Sequence, residues 1–309
     1  MEQTWAAIDI GTNSVRLLVQ RAQAGGWQGE KKVCITQLGE GLSHTKHLCQ
    51  QAMDRTEQAV LAFAKQAVAL GAAKPVWCYA TSAARQADNG ALFLQRLTAS
   101  GWVTAELLSG EDEARAAYRG SGAQGRPVLD VGGGSTELTV RSGGRLTGRS
   151  IPLGCVTLKE RFLRDDPMTD EQRQALAAAC RTQTRTLIDS VLQAPPEQIV
   201  AVGGTATQLA MLSLGLPTYD AGKVHGLVLS AEQVGHWAGT LANMTSQARK
   251  HLPGMEAKRA DVVVCGAAVI AAVLRNSGAH SIMVSDQDGL DGYLAAKREI
   301  LLDKQGEVV

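Results

Sequence analysis

Two short strings carry residue types suited to gripping phosphate. Residues 9–14 read Asp-Ile-Gly-Thr-Asn-Ser, and residues 130–135 read Asp-Val-Gly-Gly-Gly-Ser. Each sets a carboxylate just ahead of a turn built from small residues. A tight turn between strands exposes consecutive backbone N–H groups, and small side chains let phosphate oxygens reach them. The hydroxyls of Thr12, Ser14 and Ser135 add donors. An aspartate would repel phosphate, so Asp9 and Asp130 make sense as direct or water-mediated holders of Mg²⁺, a hard cation that prefers oxygen. Either string alone reads as a plain hairpin; the symmetric pair favours phosphate.

Three further strings carry weaker signals. Val202-Gly203-Gly204-Thr205-Ala206 follows an apolar strand and opens a helix, the setting for an anion at a helix N-terminus or for a close-packed glycine cap. In Ser109-Gly110-Glu111-Asp112-Glu113, the Ser109/Asp112 spacing resembles a capping box and sets Glu113 in the first helical turn. Acids there also simply favour the helix dipole. Arg85, in Ala80-Thr81-Ser82-Ala83-Ala84-Arg85, suits either a phosphate fork or a surface ion pair.

The elements that must position these groups come in two copies. Residues 7–19 (AIDIGTNSVRLLV) and 128–140 (VLDVGGGSTELTV) match at one constant offset, Asp9 with Asp130, Gly11 with Gly132, Ser14 with Ser135, Leu17 with Leu138 and Val19 with Val140. Such a match indicates a duplicated unit. After the first copy come a Gly25-Gly26 turn, a strand near Lys32–Leu38, a helix from Gln50 to Leu70, a strand over Pro75–Ala80, a helix over Ala91–Leu97 and a strand over Trp102–Leu108. After the second come a Gly143-Gly144 hairpin, a strand ending near Pro152, a long helix opened by the capping pair Thr169 and Gln172, a strand over Gln198–Val202, a helix after Gly204 and a strand over Ser281–Val284. The fold class is therefore α/β, two duplicated domains, each with a mixed five-stranded sheet and helices. The expected domains are 1–120 and 121–289, linked through Gly120–Gly125, with a final helix in 290–309 packing back on the first.

Composition narrows the function classes. A chain of 309 residues suits two cores. Its net charge of +1 argues against a dedicated nucleic-acid binder. Six cysteines occur with no Cys-x-x-Cys pair, so buried thiols in a reducing cytosol are expected rather than a disulfide framework or zinc site. No apolar run is long enough to span a bilayer, and a cytoplasmic location is expected.

Five strings in this order and spacing, AAIDIGTNSVRLLV, ATSAARQADN, LLSGEDEARAAYRG, VLDVGGGSTEL and VAVGGTATQL, resemble the exopolyphosphatase and guanosine pentaphosphate phosphohydrolase family. LGEGL, PLGCVTLKERF, HGLVLS and RADVVVCGAAVI extend the resemblance over nearly the whole chain. It implies the actin-like (ribonuclease H-like) two-domain fold shared with Hsp70-type ATPases and sugar kinases, with a cleft between the domains. It also implies roles. Glu113 matches the general base that activates water, Glu137 a second acid near the metal and the transferred phosphate, Asp130 the metal-associated aspartate and Arg85 a phosphate-contacting arginine. Thr12, Asn13 and Ser14, together with Gly132, Gly133, Gly134 and Ser135, match the two phosphate loops. Longer relatives carry a C-terminal helical region that this sequence lacks. Many read Gly-Leu-Arg-Glu-Gly where this chain has Gly289-Leu290-Asp291-Gly292.

The expected activity is Mg²⁺-dependent hydrolysis of a terminal phosphoanhydride, with inorganic polyphosphate or a guanosine polyphosphate as partner, no nucleic acid, no membrane and a homodimer left open. A sugar or acetate kinase would need an acceptor site, and no string resembles one. A non-catalytic alarmone sensor would gain nothing from the extra carboxylates Glu113 and Glu137.

Overall fold

The computed structural model describes residues 3–23 and 26–305. Gly25 of the expected turn and residues 306–309 of the expected last helix lie outside them. The chain divides into two compact units, Met1–Ser109 with Gly289–Val309, and Gly110–Asp288.

The first unit opens with β1 (Thr4–Ile10), β2 (Ser14–Gln23) and β3 (Gly26–Ile35), an antiparallel meander. β3 begins earlier than the pattern from Lys32 suggests, because pairing resumes at once with Gln23 opposite Gly26. It also ends earlier, since Thr36 and Gln37 leave the ladder and donate their N–H groups to the Asn13 carbonyl. Helix α1 (Gln50–Ala69) buries Ala52, Thr56, Val60, Ala64 and Ala67, an i, i+4 stripe. β4 (Val76–Ala80), α2 (Gly90–Ala99) and β5 (Val103–Leu107) complete a sheet of order β3-β2-β1-β4-β5, in which β1, β4 and β5 run parallel.

The second unit starts with α3 (Gly110–Gly120), which the sequence pattern assigns to the first domain. Its buried Ala114, Ala117 and Tyr118 explain the difference: they pack on the second sheet, and Thr139 donates a hydrogen bond to the Ala114 carbonyl at 3.0 Å. Next come β6 (Val128–Val131), β7 (Thr136–Ser142) and β8 (Arg145–Ile151), then α4 (Cys155–Phe162) and α5 (Asp170–Asp189), whose Thr169/Gln172 capping box is formed. β9 (Gln198–Val202), α6 (Gly203–Leu214), β10 (Val228–Ser230), α7 (Ala231–Ala242), α8 (Val263–Ser277) and β11 (Ser281–Val284) follow. The sheet order is β10-β11-β9-β6-β7-β8. It has six strands, not the expected five, because three-residue β10 adds an antiparallel edge to β11. Both units are thus mixed α/β layers, as the repeat implies.

Helix α9 (Gly289–Gln305) belongs to the first unit and packs on β1 and β2. Leu290, Tyr293 and Leu294 are buried, the Tyr293 ring lies 4.4 Å from that of Tyr79, and its hydroxyl donates to Glu106 Oε1 at 2.5 Å. Asp291 pairs with Lys31 of β3 at 2.6 Å, which gives that departure from the family pattern a cation of its own. No helix among the described residues is long and apolar enough to cross a membrane.

Candidate active site

The two Asp-turn strings form the same local structure. Gly11 N donates to Ser14 O at 2.9 Å, and Gly132 N to Ser135 O at 3.0 Å, closing each turn identically. In both units the segment after the third strand then pins the turn. Gly39 N donates to Thr12 O, while Thr36 N and Gln37 N donate to Asn13 O. In the second unit Cys155 N donates to Gly132 O, and Val156 N and Thr157 N donate to Gly133 O. In a trans peptide the N–H points opposite the C=O. Pinning those carbonyls therefore turns the amides of Asn13 and Ser14, and of Gly133 and Gly134, to the other side. Each turn is an amide-presenting concavity of the kind that binds anions. In the first, Thr12 Oγ1 and Asn13 Nδ2 are buried with no hydrogen-bond partner, polar groups suited to a ligand.

The pinning segments repeat as well. Leu38-Gly39 and Leu153-Gly154 each bury the leucine fully and press the glycine on the turn. A Cβ at Gly39 would stand 2.3 Å from Thr12 Cγ2, and one at Gly154 2.2 Å from Gly133 O. Sequence reasoning missed this second layer of the duplication; the recurring Leu-Gly pair was its signal.

One repeat position distinguishes the units. Asp9 stands opposite Arg16 across β1 and β2, and the equivalent Asp130 stands opposite Glu137 across β6 and β7. Arg16 donates to Asp9 Oδ2 from Nε at 2.8 Å and from Nη2. Asp9, expected beside a metal, thus already has a cation on one oxygen. In the second unit two carboxylates stand opposite each other instead, like charges whose mutual repulsion a cation would lessen. Glu137 is 1% exposed and accepts from Ser150 Oγ at 2.6 Å.

Strand alternation sets which side these acids occupy. Leu129, Val131 and Leu138 enter the core formed with α4, α5, α6 and α8, while Val128 packs with Ala117 and Tyr118 of α3. Asp130, Glu137 and Thr139 therefore point to the α3 side. Since Thr139 bonds the Ala114 carbonyl, the turn of α3 that carries Glu113 packs on that same side of the sheet. Glu111 pairs with Arg149 and Arg115, and Asp112 with Arg115, at the surface; Glu113 is half-buried. Among the described residues no group of three or more acidic, histidine or cysteine side chains gathers as a metal cage.

Around this pair, Gly203 approaches so closely that its Cβ would stand 2.6 Å from Asp130 Oδ1, and its φ of 81° is left-handed. Gly203 and Gly204 open α6 and leave first-turn amides beside the carboxylate. Thr205 is turned away, its hydroxyl committed to the Val131 carbonyl at 3.2 Å. Arg259, which the sequence pattern did not single out, lies with its guanidinium against Gly204. Both Arg259 and Asp130 influence the Cys155 thiol, which burial pushes up to about 11, so it stays protonated and packs rather than reacts at neutral pH. Arg85 Nη1 donates to the Leu108 carbonyl at 2.8 Å, bracing the end of β5.

The pattern of the Ppx/GppA phosphatase family matches residues 29–294. The chain belongs to the Ppx/GppA phosphatase family. It is 32% identical to exopolyphosphatase 2 of Mycobacterium tuberculosis over 311 residues, covering 93% of this chain and 96% of that one. A Ppx/GppA family member from Aquifex aeolicus superposes with a TM-score of 0.79 at 29% identity, over 98% of this chain and 99% of the other. An exopolyphosphatase-like protein superposes with a TM-score of 0.87 at 27% identity, over 97% and 100%. The actin-like fold expected of a Ppx/GppA protein is therefore present.

The pinned glycine turn supports a direct test. Gly133→Val places a branched side chain on the amide-presenting edge. The expected result is a KM for a phosphoanhydride substrate raised about tenfold or more, equal to the loss of a charge-assisted hydrogen bond or two, with an unchanged melting temperature. Normal KM would mean that the turn is a plain hairpin.

Proposed function

We propose that this chain hydrolyses the terminal phosphoanhydride of inorganic polyphosphate, releasing orthophosphate, with Mg²⁺ bound. The observation that carries the reading is the Asp130–Glu137 pair, face to face beside the amide edge of Gly133 and Gly134 and on the side covered by the helix bearing Glu113. The curated relative named an exopolyphosphatase supports polyphosphate as the substrate class.

The donor set fits Mg²⁺. This ion prefers oxygen and is commonly held by one or two carboxylates together with substrate phosphates and waters, not by a full protein cage. Asp130 and Glu137 would hold it, and when bound it supplies neutralisation of charge on the phosphate oxygens. Ser150 holds one Glu137 oxygen in place. The Gly133 and Gly134 amides and the first-turn amides of α6 are preset donors for phosphate oxygens, and they need no reorganisation during reaction. Glu113 would take the proton from the attacking water, the role for which a half-buried carboxylate on the same side is suited. Within the first unit, the turn at Thr12–Ser14 presents an amide edge of the same kind. The test is kcat/KM measured side by side for short polyphosphate, long polyphosphate, guanosine pentaphosphate and ATP. Polyphosphate should lead, and a strong preference for guanosine pentaphosphate would overturn the assignment.

Nine Arg and Lys residues between Thr139 and Leu187 raise the question of a basic track for long chains. Six of the nine are engaged elsewhere, which favours solvated helix and strand faces over a track. Arg149 pairs with Glu111, Lys159 with Asp261 and Arg173 with Asp170, Arg185 reaches Asn276, and Arg141 and Arg161 lie over aromatic rings. Short and long polyphosphate are therefore expected to show equal salt slopes of KM; a steeper slope for the long chain would restore the track.

A further inference from the structure

The second unit delivers Arg259 to the candidate site through a relay that begins one helical turn inside α6. Gln208, 4% exposed, stands four residues after Gly204 in that helix. Its Nε2 donates to the Gly254 carbonyl at 2.6 Å, and its Oε1 accepts from Glu256 N at 3.1 Å. Both functional atoms of one buried side chain thus hold the segment that leads to Arg259. The segment also lies flat on the helix: Gly254 has φ 85°, and a Cβ there would stand 2.5 Å from Met211 O. Glu256 then accepts from Arg259 Nε at 2.7 Å, and Arg259 N donates to Glu256 O at 2.8 Å. The guanidinium ends against Gly204, where a Cβ would stand 2.0 Å from Nη1 and 2.7 Å from Cζ. Arg259 is 18% exposed on its side chain.

Electrostatics makes this placement informative. A helix N-terminus carries partial positive charge and disfavours a cation. Glu256 offsets the guanidinium only on its Nε edge, and the amino edge is turned to the first turn of α6, next to the Gly203–Asp130 contact. The Asp130 carboxylate beside Gly203 supplies part of the opposing charge, and a phosphate anion bound by the amides and the guanidinium together would supply the rest.

We propose that Gln208 and Glu256 are positioning residues that set Arg259 as a phosphate-contacting cation beside the first turn of α6. The proposal rests on the polyphosphate reading above. Helix α6 serves as the ruler: it carries the amides at one end and, one turn on, the clamp that fixes where the arginine can reach.

The experiment is a double-mutant cycle on the full chain, read by tripolyphosphate affinity and by kcat and KM for orthophosphate release. Glu256→Ala is expected to weaken tripolyphosphate binding and raise KM about three- to tenfold, with kcat changed less, because the lost contact to a charged group is partly solvent-screened. Glu256→Gln, which keeps an acceptor for Arg259 Nε, should recover part of the loss. Gln208→Met, matched in shape but lacking both bonds, should give the same KM rise. Neither change should add to Arg259→Ala, since the arginine through which they act is already gone. Additive effects at an unchanged melting temperature would overturn the proposal and leave the functional reading standing. A wild-type chain that neither binds nor cleaves polyphosphate would overturn both.

Discussion

Glu113→Gln is expected to lower kcat for orthophosphate release by about 10²–10⁴, the usual contribution of a general base, while tripolyphosphate affinity holds or improves slightly. The amide keeps the size and hydrogen-bonding shape of the carboxylate but cannot take a proton from water at neutral pH. It also removes a negative charge near the phosphates. The substitution leaves the ion pairs of Glu111 and Asp112 with Arg115 and Arg149 in place. Glu137→Gln should differ in kind. If Glu137 shares Mg²⁺ with Asp130, its loss raises the metal concentration for half-maximal rate, and excess Mg²⁺ restores part of kcat. A Mg²⁺ titration of kcat for wild type and both variants separates the two phenotypes. Turnover of Glu113→Gln near wild type at saturating Mg²⁺ would show that Glu113 is only a helix-turn acid.

Gly154→Ala should cost the second unit both stability and its site. Backbone strain is not the cause, since φ −115° and ψ 159° suit any residue. The obstacle is space: an added Cβ would stand 2.2 Å from Gly133 O and 2.3 Å from both Gly133 C and Gly134 N. These are backbone atoms with no free rotation to escape. α4 must therefore shift, which stretches the Cys155 N to Gly132 O and Val156 N to Gly133 O bonds. Two buried backbone bonds and the overpacking amount to about 2–4 kcal/mol, or about 5–15 °C in melting temperature for a unit of this size. Orthophosphate release should fall well below the melting transition, because the freed carbonyls no longer hold the amide edge of Gly133 and Gly134. Gly39→Ala is the milder counterpart, as its nearest obstacle is the Thr12 methyl group. Gly235→Ala, at an exposed position of helix α7 with nothing within 4 Å, is the control and should be neutral or slightly stabilising. Thermal melting and single-temperature rates on the three variants give the ranking. Equal behaviour of Gly154→Ala and Gly235→Ala would remove the pinning of the turn as an explanation of the site.

Much of this molecule is legible locally. The Asp-turn strings, the strands on either side of them, the Thr169 capping box and the stripe on α1 each depend on residues within a few positions of one another. Hydrogen bonds of short range and side-chain periodicity encode them without reference to the rest of the chain. The resemblance of five ordered strings likewise points to the family, and the family pattern matches.

What decides the chemistry is not local. The two copies of the repeat look alike in sequence, yet Arg16 and Glu137 occupy the same repeat position, and only strand register shows that one sets a cation opposite its aspartate and the other a second carboxylate. Helix α3 reads as the end of the first half by order along the chain; burial of Ala114, Ala117 and Tyr118 assigns it to the second. Thr205 looks like one more phosphate donor until the Val131 carbonyl, 74 residues earlier, takes its hydroxyl. Arg259 opens the string RADVVVCGAAVI, but nothing local shows that it lies against Gly204, in a loop held by Gln208 and Glu256. Periodicity and turn chemistry specify elements, whereas the sign of the charge at a site depends on which side chains distant segments bring within a few ångströms.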